Sequence, residues 1–152
     1  MISSRKIDDL SPPARIRAIR FCDECAKRGI DVLIYCTYRD NEAQAALYAR
    51  GRTVKGSNPR LLKPMGDIVT NAKPGESWHN WRAAFDFVPM VNGKPAWNDT
   101  KLFQQCGEVG ESVGLEWAGR WRGSLRETGH MQYTGGLTIA RMRAGASLES
   151  MA

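Results

Sequence analysis

The sequence predicts an α+β fold, a small sheet flanked by helices, and three observations carry that prediction. Helical periodicity and short β-branched or aromatic runs follow one another without the strand–helix–strand regularity of a parallel sheet. The helical runs open on capping residues, and three of the four close on glycine. The 152 residues are enough for one domain with its own core and no disulfide staples.

Ser11-Pro12-Pro13 starts the first helix, with Ser11 as N-cap and proline tolerated in the first turn. Ala14, Ala18, Cys22, Cys25 and Ala26, joined by Ile16 and Ile19, form its apolar face, and Gly29 is the stop. Residues 30–38 are β-branched and aromatic and predict a buried strand. Asp40 caps a second helix that carries Ala43, Leu47 and Tyr48 on one side and ends at Gly51. Residues 52–75 are rich in Gly, Pro, Asn and Lys and hold no period, which predicts a long loop.

Residues 83–91 predict a second strand and Asn92-Gly93 a turn. Asp99 or Thr100 caps a helix through Leu102, Phe103, Cys106, Val109 and Val113, stopped by Gly114. Residues 115–117 and 131–133 predict short strands around an Arg- and Gly-rich connection, and residues 138–143 a last short helix. No repeat, low-complexity tract or linker divides the chain, so a single domain over residues 1–152 is expected, without a second domain beside it.

At 42% hydrophobic and 25% charged residues the chain is neither disordered nor membrane-spanning in composition. Its net charge of +6 suits a polyanionic partner: nucleic acid, a cell-wall polymer or an anionic membrane surface. Residues 1–76 carry 14 basic and 9 acidic side chains, residues 77–152 only 8 and 7. The excess makes the first helix and the long loop a candidate docking surface, a solvated helix face being the plain alternative. No zinc-finger, helix-turn-helix or RNA-binding signature accompanies the charge, so no nucleic acid partner is expected. No apolar window reaches membrane-spanning length and the first residues hold no signal-peptide core. Synthesis in the cytoplasm and no stable membrane insertion are the expectations. Cys22-x-x-Cys25 lies inside a helical run with no second pair, and its cysteines are expected to be buried thiols.

The two histidines of the chain, His79 and His130, both lie in polar surroundings. With Asp86 they could supply the three ligands of a catalytic zinc, leaving one position for water. Asp86 interrupts an apolar strand-like run, where a carboxylate must be paired or bound to a cation. A salt bridge to an arginine is its other reading. Glu127, three residues before His130, is placed to act as general base.

Ser77-x-His79, with Asp86 after six intervening residues, resembles the SxHxxGxAxD signature of the M15 zinc peptidases, which act on peptidoglycan stem peptides. Glu127-x-x-His130 resembles the second motif of that family, and Tyr38-Arg39, Gln44, Leu47-Tyr48 and Gly51 its upstream block. Residues 69–75, with Ser77-Trp78-His79-Asn80, are similar to the L-alanyl-D-glutamate peptidase branch typical of phage endolysins. The likeness runs on through residues 114–117, Trp121 and residues 136–140, covering nearly the whole chain in order.

The resemblance implies a small antiparallel sheet flanked by helices, of Hedgehog/DD-peptidase type. It implies that His79, Asp86 and His130 hold zinc, that Glu127 is the base, and that Arg39 holds substrate or the developing oxyanion. Ser77, Gln44 and Trp117 become substrate-binding candidates, and Trp78, Trp81 and Trp121 candidate walls of a groove, with packing as the alternative. The implied activity is hydrolysis of L-Ala–D-Glu in the peptidoglycan stem peptide by a monomer made in a host cytoplasm and acting on the cell wall or periplasm after release. The alternatives are a D-Ala–D-Ala carboxypeptidase of the same family and a non-catalytic wall binder. Three features depart from the family pattern: Arg82 stands at a usual glycine, Trp117-Ala118-Gly119-Arg120-Trp121 replaces WGGDW, and the segment between Trp121 and His130 is about one residue longer.

Overall fold

A central strand organises the chain, whose computed structural model describes residues 1–53 and 68–148. That strand, β2 (Ala84–Val91), has Ala84, Phe85, Phe87 and Val88 buried. We label the remaining strands β1 (Asp31–Cys36), β3 (Lys94–Pro95), β4 (Glu116–Trp117) and β5 (His130–Gln132). The sheet order is β1-β2-β5-β4, every pairing is antiparallel, and β3 pairs with β2 through a hairpin. The hairpin turns at Asn92 and Gly93, both with positive φ (53° and 77°), as a two-residue connection of primed type requires. β3 itself is too short to leave a pattern in the sequence.

β1 corrects the expectation of a buried strand. It is an edge strand with Leu33 43% exposed. Its pairing with β2 shifts register between Ile34 and Cys36 and ends there. Beyond it the N-terminal segment takes over, with Thr37 donating to the Ser4 carbonyl at 2.8 Å and Ser4 to the Tyr38 carbonyl at 2.7 Å.

The helices are α1 (Pro12–Lys27), α2 (Asn41–Ala49), α3 (Thr100–Ser112) and α4 (Ile139–Arg143). Ala14, Ala18, Phe21 and Cys25 recur at spacings of four and three and form the buried face of α1. Ile16, Ile19 and Ala26 face solvent instead. Phe21 packs between Phe85 and Phe87, with ring centroids 5.6 and 5.2 Å away. The Ser11 hydroxyl does not cap α1; it donates to the Arg82 carbonyl, 71 residues away, at 3.0 Å. Asp40 and Asp99 cap α2 and α3 with their carboxylates, accepting from Ala43 and Leu102 at 2.8 and 3.0 Å.

Gly107 and Gly110 are buried on α3, where a Cβ at Gly107 would fall inside the Trp117 indole and one at Gly110 against Met131. α4 packs with Ala83 and Leu148 into a second, smaller apolar cluster. Cys22 and Cys25 are free thiols on α1, and burial pushes Cys22 up to about 11.

The basic face of α1 is partly structural. Arg15 donates to the Leu10 carbonyl, and Arg17 donates to Pro13 while its guanidinium lies 3.7 Å from the Tyr133 ring centroid. The expected loop over residues 52–75 has no regular structure from 68 onward, and its residues 54–67, with three of its cations, lie outside the described residues. Among the described residues no helix is long and apolar enough to cross a membrane.

Candidate active site

The sheet register assembles the polar cluster. Asp86 sits directly opposite His130 on β5 and opposite Cys36 on β1. His79 arrives from a 3₁₀ turn (Trp78–Trp81) held by a reciprocal cap, in which Ser77 accepts from the His79 amide and Asn80 accepts from the Ser77 amide. Asn80 also donates to the Arg39 carbonyl at 2.9 Å, tying this turn to the end of β1.

Asp86 Oδ1 lies 3.3 Å from His79 Nε2 and 3.3 Å from His130 Nδ1. The two imidazole centroids are 5.2 Å apart. Glu127 Oε2 is 3.9 Å from His130 Nδ1, and the Glu127 side chain is 65% exposed. His79 and His130 therefore flank Asp86, and Glu127 stands beside His130.

Each histidine donates its other ring nitrogen away from the cluster: His79 Nδ1 to the Thr37 carbonyl at 2.8 Å, and His130 Nε2 to Gln132 Oε1 at 2.9 Å. Those bonds occupy one nitrogen of each ring and leave the other turned toward Asp86, where a metal ion would take the place of a proton. Two ligand atoms about 2.0–2.1 Å from a tetrahedral zinc ion lie about 3.3 Å apart, which matches the separation of Asp86 Oδ1 from each histidine nitrogen. Electrostatics agree. Burial opposes charge on His79, yet the neighbouring Asp86 carboxylate and its hydrogen bond raise that histidine to about 10. Burial likewise opposes ionisation of Asp86, and the two imidazoles hold it well below the usual carboxylate range. Positive charge is favoured at this point.

Arg39, His79, Asp86, Glu127 and His130 line a cleft of about 390 Å³, with Ser77 and Thr70 on its wall. Gln44 does not line it. It is fully buried, accepts from Arg39 Nη1 at 3.0 Å and donates to the Ala72 carbonyl at 2.8 Å, so both its hydrogen bonds are spent behind the arginine. Trp117 is also absent from the cleft. It is 5% exposed, and its indole N–H donates to the Thr128 carbonyl at 2.8 Å, bracing the loop between Glu127 and His130. Of the remaining tryptophans, Trp78 and Trp81 pack against the second apolar cluster, and Trp121 lies 5.7 Å from the His130 ring.

Sequence reasoning missed Cys36, Thr37 and Gln132. Gln132 had a signal, a polar residue two positions after His130 and hence on the same strand face. Thr37 contributes its carbonyl, which no side-chain pattern reveals. Cys36 Sγ accepts from Arg39 Nη2 at 3.3 Å and lies 3.7 Å from His79 Nδ1. Among the described residues, Cys36, His79 and Asp86 form one cluster of possible metal donors and Asp86, Glu127 and His130 another. Asp86 joins them.

The family model described as VanY, D-alanyl-D-alanine carboxypeptidase, matches residues 8–136. The chain belongs to the VanY family. It is thereby an M15 peptidase. This VanY-family chain is 32% identical over 123 residues to the peptidoglycan L-alanyl-D-glutamate endopeptidase CwlK of Bacillus subtilis, covering 75% of this chain and 68% of the relative. Its fold matches the Serratia marcescens L-Ala D-Glu endopeptidase ChiX, with TM-score 0.57, 19% identity, and 88% and 89% of the two chains covered. It also matches DacB of Streptococcus pneumoniae D39, with TM-score 0.58, 19% identity, and 97% and 79% covered. Both solved structures carry the α+β arrangement of antiparallel sheet and helices found here.

The Arg82 departure has a backbone consequence. The residue adopts a left-handed conformation (φ 58°, ψ 31°), the backbone region that favours the glycine of the SxHxxGxAxD pattern. Its guanidinium lies 3.8 Å from the Tyr38 ring centroid and donates to the Asp9 carbonyl at 2.9 Å, away from the cleft. Arg120 pairs with Glu111 on the surface at 2.9 Å.

Proposed function

We propose that this chain is a zinc-dependent peptidoglycan endopeptidase that hydrolyses the L-Ala–D-Glu bond of the stem peptide and so opens the bacterial cell wall, as endolysins do. One observation carries the metal assignment: Asp86 Oδ1 is 3.3 Å from a nitrogen of each histidine, with both rings held from behind. His79, Asp86 and His130 are the zinc ligands in this reading. When bound, zinc polarises the scissile carbonyl and makes water nucleophilic near neutral pH.

Glu127, exposed beside His130, takes the proton of the attacking water and passes it to the leaving amine. Arg39, held by Gln44 and Cys36, presents a guanidinium already aimed into the cleft where negative charge develops. Ser77 on the cleft wall is a substrate contact. The L-Ala–D-Glu specificity is supported by the 32% identity to CwlK. The family description supports a second reading, release of a terminal D-Ala by the same site.

Glu127→Gln separates catalysis from metal binding. The variant is expected to keep about one zinc per chain while kcat falls about 10²- to 10⁴-fold. Full activity in Glu127→Gln would remove the base from the account.

A further inference from the structure

A second cavity, of about 230 Å³, also reaches the reacting groups. It shares Asp86 and Glu127 with the Arg39 cleft and no other lining residue. The cleft and the cavity therefore meet at the carboxylates from different flanks. Aromatic side chains form the walls of the second: Tyr35 from β1, Trp97 from the segment after β3, and Phe103 from α3.

Trp97 is 55% exposed, unusual for an indole that a fold needs only for packing. It is held as a platform nonetheless, edge-on to Tyr35 with centroids 5.5 Å apart. The flanking backbone is fixed by Ala96 donating to the Pro89 carbonyl at 2.8 Å and Asp99 to the Ala96 carbonyl at 3.1 Å. Among the described residues no hydrogen bond engages the Tyr35 hydroxyl, which lies 3.5 Å from where a Cβ on Gly129 would stand.

Charge assigns an occupant. The Arg39 flank offers a guanidinium, whereas among the described residues the aromatic flank has no Lys or Arg in its lining; the carboxylates of Asp86 and Glu127 are common to both. Across an L-Ala–D-Glu bond the substrate is equally lopsided. Its carboxylates all lie on the D-Glu side, while the other side is an alanine methyl, a lactyl amide and a neutral sugar. The apolar C–H face of a pyranose suits the electron-rich face of an indole.

We propose that the Tyr35–Trp97–Phe103 cavity is the subsite for the acyl side of the scissile bond, seating L-Ala and its muramoyl sugar against Trp97 while the Tyr35 hydroxyl donates to a carbonyl of that segment. The D-Glu side then runs along Arg39. The proposal rests on the endopeptidase reading above.

The test compares kcat/KM on two soluble tripeptides with the same L-Ala–D-Glu bond, one carrying N-acetylmuramic acid on L-Ala and one a plain acetyl group. The unmodified protein is expected to prefer the muramoyl substrate by about tenfold, and Trp97→Ala to reduce that ratio to about one. Tyr35→Phe, which keeps the ring, lowers kcat/KM on both. No muramoyl preference in the unmodified protein, or a preference that survives Trp97→Ala, overturns the subsite while the L-Ala–D-Glu activity stands. A protein that cuts neither tripeptide overturns the endopeptidase reading and the subsite with it.

Discussion

Trp117→Phe distinguishes a buried brace from a substrate contact. The indole N–H of Trp117 donates to the Thr128 carbonyl at 2.8 Å, and the ring packs over Gly107 and Gly119 with 5% exposure. Phenylalanine keeps an aromatic ring and loses the donor. The partly buried carbonyl left without its partner costs about 1–2 kcal/mol. The smaller ring leaves a void on the order of 40 Å³, worth about 1 kcal/mol at about 24 cal/mol per Å³. Together these amount to about 2–3 kcal/mol, which in a chain of this length lowers Tm by about 5–10 °C. Thr128 lies between Glu127 and His130, so zinc retention or kcat is expected to weaken by about tenfold while KM changes little. Thermal melts, zinc content after dialysis and steady-state kinetics on one peptide read all three. An unchanged Tm with a raised KM would refute the reasoning and return Trp117 to the cleft.

Gln44→Ala removes the acceptor for Arg39 Nη1 and is expected to lower kcat about 10- to 100-fold, with bound zinc unchanged; a pure KM effect in the kinetics would mean that Gln44 meets substrate. At Arg82, glycine relieves a left-handed backbone worth about 1–2 kcal/mol, while the Tyr38 and Asp9 contacts it gives up are worth about as much. Urea denaturation should therefore place Arg82→Gly within about 1 kcal/mol of the parent and Arg82→Ala about 1–2 kcal/mol below it. Equal stability of the two variants would contradict the strain argument.

Much of the fold was legible because its determinants are local. The caps Asp40 and Asp99, the Asn92-Gly93 turn and the spacing of Ala14, Ala18 and Cys25 act within a few residues of themselves, and the structure keeps them. What sequence missed is set by distant partners. Ser11 stays the N-cap residue of α1 but turns its hydroxyl to the Arg82 carbonyl, and β1 stands at the sheet edge, paired on one side only, with β2, among the described strands. Ile16 and Ile19 read as apolar by type, yet Phe21 sets the buried meridian of α1.

The site divides the same way. His79, Asp86, Glu127 and His130 carry their chemistry in their side chains and could be named from spacing and likeness. Gln44 and Trp117 match family positions equally well, but only the structure shows them buried and bonded to Arg39 and Thr128. Thr37 works through a carbonyl that any residue would supply. Of the cations behind the charge of +6, Arg15 and Arg17 are engaged within the fold, which no count of charges reveals.

Mass spectrometry of purified peptidoglycan after digestion, with and without a chelator, tests the central claim most directly. The account predicts fragments with a new D-Glu amino terminus and a glycan-linked L-Ala, both lost when metal is stripped and recovered when zinc is returned. Release of terminal D-Ala alone, or cleavage that persists in the metal-free protein, would contradict it.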